Sequence, residues 1–138
     1  MRIMKAGEKN DQIKKFNVNE RMRSFKNAFS GLTSLLKFEH NARIHLFVLV
    51  MAVAAGIFLK ISAIDWIAIV FASGLVFISE CFNTAVENLS DVVNPEQNEK
   101  IKRVKDMAAA GVLISAFVSA IIGIIIFFPE IYKLIVNR

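Results

Sequence analysis

One cysteine in 138 residues rules out an intrachain disulfide and any cysteine-based zinc site. That residue, Cys81, lies in an apolar run and reads as a small hydrophobe. Glycine motifs are missing too. There is no GxxxxGK(S/T) and no GxGxxG, so no glycine-rich backbone cradle for phosphates; a nucleotide would have to be held by side chains and metal. The histidines, His40 and His45, have no third ligand of that kind nearby and read as interfacial residues. No internal repeat and no low-complexity segment is present. The amino terminus, MRIMKAGEKNDQIKKFNVNERMR, is charged throughout and lacks the apolar core of a signal peptide.

What the chain has in excess is apolar sequence. Its hydrophobic content of 55% and mean hydropathy of +0.50 exceed the usual soluble range. Three runs carry it: Ile44 to Ile61, about Trp66 to Phe82, and Met107 to Phe128, which stops at Pro129. The third has no charge, and its 22 positions would span about 33 Å as a helix, enough for the hydrocarbon core. The second is expected to continue as helix through polar sequence to Asp91. Three membrane-crossing helices are therefore expected, at about 44–61, 66–87 and 107–128.

Basic residues give the orientation. Ten of the seventeen Lys and Arg lie in residues 1–43 and four more in Lys100 to Lys105, whereas the link after the first span carries only Lys60. The positive-inside rule then puts the amino terminus and the 88–105 loop in the cytoplasm and the carboxyl terminus outside. Trp66 and Tyr132 fall at the outer interface. Such an arrangement explains the net charge of +5, and nucleic-acid binding has no support beyond it. Ahead of the first span, Phe25, Phe29, Leu32 and Leu36 recur at helical spacing. This predicts an amphipathic helix over about 20–40, lying in the cytoplasmic interface with its basic residues toward anionic headgroups. Residues 1–18 are polar, without period, and expected to form a mobile tail; residues 19–138 form one membrane domain.

The stretch ISECFNTAVENLSD, residues 78–91, is costly in such a place, since an ionisable group at membrane depth costs at least a few kcal/mol. At about 100° per residue, Glu80, Asn83, Glu87 and Asp91 share one helix face. Glu80 and Glu87 are about 10 Å apart along the axis, too far to act as a close pair on one atom, and suit two jobs at two ends of a substrate. A structural alternative is that this face bridges helices. Two further patches reach the same depth: KFEHNARIH with Glu39, and KIKRVKDMAAAG with Lys105 and Asp106. Carboxylates with open positions suit magnesium, which binds nucleotide phosphates. Phosphoryl transfer needs positioning, charge neutralisation and a base for the attacking hydroxyl, and this set supplies all three.

EcFNTAVEnlsD followed by vKDmaAAgVLi, with fkFEhNaRIH upstream, closely resembles the bacterial integral-membrane diacylglycerol kinase and undecaprenol kinase family. The resemblance runs from about Phe25 to Phe128, and its E-x-x-N-T-A-(I/V)-E-x-x-x-D block followed by a K-D pair is highly specific. It implies a homotrimeric helical bundle in the bacterial cytoplasmic membrane that transfers the ATP γ-phosphate to a lipid hydroxyl with magnesium, in sites shared between subunits. By motif, Glu80 resembles the general base, and Glu39 and Glu87 the carboxylates that hold the ATP-bound metal. Asn83, Asp91, Lys105 and Asp106, with Glu87, resemble the nucleotide-binding positions. Glu39 and Glu80 of one site are expected from different chains. Cys81-Phe82 departs from the usual aliphatic pair, and NPEQNEKIKR from the usual loop. No fused phosphatase domain is expected. Undecaprenol is placed slightly ahead of diacylglycerol as acceptor. The rival readings are a small proton-coupled transporter, which leaves the K-D pair unexplained, and a membrane scaffold, which leaves the acidic face unexplained.

Overall fold

The computed structural model describes residues 17–94, 96 and 98–136, so the expected tail lies outside the described residues apart from its last two. These residues form four helices: α1 (Val18–Phe38), α2 (His40–Leu59), α3 (Ala63–Val93) and α4 (Glu99–Val136). The last three are long and apolar enough to cross a membrane.

α1 starts where the Asn17 side chain accepts a hydrogen bond from the Asn19 amide, with Glu20 in the first turn and Lys37 in the last, each matching the helix dipole. It ends because Glu39 leaves helical geometry (φ −94°, ψ 120°), and α2 resumes at once with His40. One residue therefore makes the whole bend between α1 and the first apolar helix. Of the expected apolar stripe on α1, Phe25, Phe29 and Leu32 are exposed and Leu36 is half-buried; Leu35 is the residue that packs inward.

α2 and α3 join through a tight turn. Lys60 takes a left-handed conformation (φ 54°) while the Ile61 amide reaches back to the Gly56 carbonyl, closing α2. Ser62 and Asp65 then form a reciprocal capping box that opens α3. With so short a link the helices run antiparallel, which sets His45 of α2 opposite Glu80 of α3. α3 and α4 make the most extensive helix pair. Small residues let them approach: the Ser119 hydroxyl lies 3.0 Å from the Ala72 carbonyl across the pair and 2.8 Å from its own Ser115 carbonyl. The small residues Ala109, Ala110 and Gly111 stay exposed in the single chain.

Helix ends differ from the expected spans. α3 continues through Asp91, as expected, to Val93, and α4 begins at Glu99 rather than 107. α4 also runs through Pro129 to Val136 instead of stopping there. A proline inside a helix forgoes one backbone bond. At about 1.5 Å per residue, the 31 residues of α3 and 38 of α4 measure about 46 and 57 Å, longer than a hydrocarbon core of about 30 Å. The apolar core sits at the turn end, where Ile61, Ile69 and Ile126 pack with Leu49, Leu59 and Trp66. Phe47, Phe58, Phe71, Phe117 and Phe128 remain exposed, a surface suited to lipid rather than water.

At that turn Gly56 is held against Ile61 and Trp66: a Cβ there would lie 2.9 Å from Ile61 Cδ1 and 3.0 Å from the indole ring. Gly56→Val should therefore lower the thermal unfolding midpoint in detergent, since overpacking costs about 1–3 kcal/mol. Gly74→Ala, where a Cβ meets nothing within 4 Å, should not. Equal midpoints for the two variants would show that the turn is loosely packed.

Candidate functional site

The polar face of α3 changes character along its length. Glu80 is 2% exposed and Asn83 8%, Glu87 is half-buried, and Asp91 is exposed. The spacing of four between Asn83 and Glu87 gives a direct bond, the Asn83 Nδ2 donating to Glu87 Oε1 at 2.9 Å. One turn further, Asp91 accepts a hydrogen bond from Lys105 Nζ of α4 at 2.8 Å, which ties the two helices where they leave the apolar zone.

At the buried end, His45 Nε2 lies 3.2 Å from Glu80 Oε1. The distance is that of an ion pair, but the contact lacks hydrogen-bond alignment, and Glu80 Oε1 has no hydrogen-bond partner among the described residues. The same holds for Asn83 Oδ1 and Thr84 Oγ1. Three buried polar atoms within five residues are thus unsatisfied, a concentration that calls for an explanation beyond packing. His45, read from the sequence as interfacial, is set against Glu80 by the antiparallel register. Thr84 did not stand out among the candidates either, although its position four residues after Glu80 puts it on the same side of α3.

Glu39, at the α1–α2 bend, makes no capping hydrogen bond with its side chain. Its charge and that of Glu87 both oppose the charge of Glu80. Glu87 also acts on Lys105. Asp106 is exposed and lines, with Asp91, Asn94, Glu99, Lys102 and Lys105, a polar cavity of about 640 Å³ at the α3–α4 joint. The contacts thus run along α3 from His45 and Glu80 inside, through Asn83 and Glu87, to Asp91 and Lys105 at the rim, with Asp106 beside them in the cavity lining.

Among the described residues, no group of three or more His, Cys, Asp or Glu side chains could hold a metal ion by itself. Magnesium does not require one: it typically takes one or two carboxylates together with substrate phosphate oxygens and water. The cavity lining includes four carboxylates and only two lysines, so a polyphosphate would meet net negative charge there unless a cation accompanied it. The cavity's carboxylates fit magnesium bound in that way; Glu39 and Glu87 are not among its lining residues.

Residues 26–127 match the family model for prokaryotic diacylglycerol kinase. The chain is 31% identical over 114 residues to the undecaprenol kinase of Bacillus subtilis (strain 168), covering 83% of this chain and 93% of that protein. It is 34% identical over 114 residues to the diacylglycerol kinase of Synechocystis sp., covering 82% of this chain and 65% of that one. The diacylglycerol kinase of Escherichia coli (strain K12) is 35% identical over 71 residues, 51% of this chain and 58% of that one. With its three apolar helices and this coverage, the chain belongs to the prokaryotic diacylglycerol kinase family, phosphotransferases that act on an alcohol group.

Proposed function

We propose that this protein is an ATP-dependent lipid kinase that transfers the γ-phosphate to the hydroxyl of undecaprenol or diacylglycerol, giving undecaprenyl phosphate or phosphatidic acid. The carrying observation is the graded strip on α3. Counted from Trp66 at one interface, Glu80 lies about 21 Å along the helix, Glu87 about 32 Å and Asp91 about 38 Å, against a hydrocarbon thickness of about 30 Å. Glu80 lies at the depth of the bilayer, where an acceptor lipid resides, while a nucleotide reaches the exposed Asp91 and the polar cavity from water. Glu87 stands at the boundary where the two would meet.

Glu80 takes the proton of the lipid hydroxyl as its oxygen attacks the γ-phosphorus. The new P–O bond forms as the bond to the β–γ bridging oxygen breaks, and ADP leaves with that electron pair. Glu39 and Glu87 would hold magnesium carried by ATP, which would supply neutralising charge to the transferring group. Asn83 keeps Glu87 in place, and Asp91, Lys105 and Asp106 order the nucleotide at the rim. Undecaprenol is favoured as acceptor, supported by the near full-length match to an undecaprenol kinase. α1 lies on the cytoplasmic surface of the bacterial inner membrane, with Phe25, Phe29 and Leu32 toward lipid. A homotrimer would cover the exposed helix faces and complete shared sites. The test is ATP consumption by purified protein in mixed micelles with either lipid. Magnesium-dependent turnover on at least one is expected, and none on either would overturn the reading.

A further inference from the structure

We propose that His45 is a positioning residue for Glu80, holding one carboxylate oxygen so that the other faces the lipid hydroxyl; the inference rests on the kinase reading above. Glu80 is the most deeply buried charged side chain described, at 2% exposure, and a buried carboxylate needs a partner. Glu39 and Glu87, the acids that act on it from the α1–α2 bend and from α3, repel it. His45 is the basic side chain that meets it, at 3.2 Å and from a different helix. A carboxylate that turns freely about its last torsion presents its lone pairs in many directions. One gripped at Oε1 presents Oε2 in a single direction. Catalytic contacts are often poorly aligned before substrate binds and tighten afterwards, which accounts for an ion-pair distance without hydrogen-bond alignment.

The imidazole Nε2 and the amide nitrogen of glutamine reach similar distances from the backbone, whereas the amide of asparagine stops short. That difference sets the experiment. Full-length wild type, His45→Ala, His45→Asn, His45→Gln, Glu80→Gln and the His45→Ala/Glu80→Gln double variant are assayed in lipid micelles. His45→Ala and His45→Asn should lose turnover on the order of 10²-fold, the scale of a misplaced catalytic group, with KM for ATP within about twofold of wild type. His45→Gln should recover most of the loss. In the Glu80→Gln background, His45→Ala should cost nothing further. If His45→Ala does not purify folded, His45→Asn carries the comparison. The proposal is overturned if the short variants stay within twofold of wild type, if His45→Gln is as slow as they are, or if the full loss recurs without Glu80. An inactive wild type would overturn the kinase reading itself. In that case the thermal midpoints of the single and double variants still test the contact: non-additive shifts uphold the pairing, and additive ones reject it.

Discussion

Glu80→Gln is expected to lower lipid phosphorylation by on the order of 10²–10⁴-fold, the usual contribution of a positioned general base. The substitution is nearly isosteric, and its site is expected to accommodate it. Glu80 is packed inside the bundle with two acids acting on it, so the neutral amide sheds their repulsion, and its polar end can still meet His45. The thermal midpoint should therefore match wild type or exceed it, while ATP binding at the rim, about 10 Å and more along the axis, persists. Loss of turnover with a preserved midpoint and preserved nucleotide binding separates a chemical role from a structural one. A Glu80→Gln protein that keeps more than half the wild-type turnover would remove Glu80 from the role of base.

Glu39→Gln and Glu87→Gln should instead act on the donor nucleotide. Each is expected to weaken magnesium-dependent ATP binding by about tenfold or more, the scale of one charge-assisted contact. Both substitutions leave the surrounding structure with what it uses. The glutamine oxygen at position 87 can still accept from Asn83 Nδ2, and the Glu39 side chain makes no capping bond that glutamine would lose. What disappears is charge, which an amide cannot supply to a metal. Calorimetric titration of ATP at several magnesium concentrations reads this directly. The variants should approach wild type only as magnesium is raised far above its normal working range. Curves that coincide with wild type throughout would show that neither carboxylate holds the metal.

Hydropathy and helical period carried much of this protein from sequence alone, because both are properties of one segment at a time. The length of an uncharged apolar run decides whether it can cross a bilayer, and all three runs are helices of that kind. The period of 3.6 residues decides which side chains share a face of α3. The Asn83–Glu87 bond, at a spacing of four, was implicit in that face before any neighbour was known. Helix ends were less accessible. Glu39 stops α1 without a proline or glycine, and α4 continues through a proline that would ordinarily mark a boundary.

Pairings between segments depended on tertiary structure. His45 and Glu80 are thirty-five residues apart, and their contact exists because the turn at Lys60 and Ile61 sets the antiparallel register of α2 on α3. Lys105 meets Asp91, and Ser119 meets Ala72, because α4 packs back along α3 at a register set by close contact of small side chains. Sequence determined the membrane-spanning helices and the polar face that one of them bears, since local chemistry is written residue by residue. Which basic group stands against the buried carboxylate was decided only by packing, because the register of two helices is a property of their joint surface and belongs to neither segment alone.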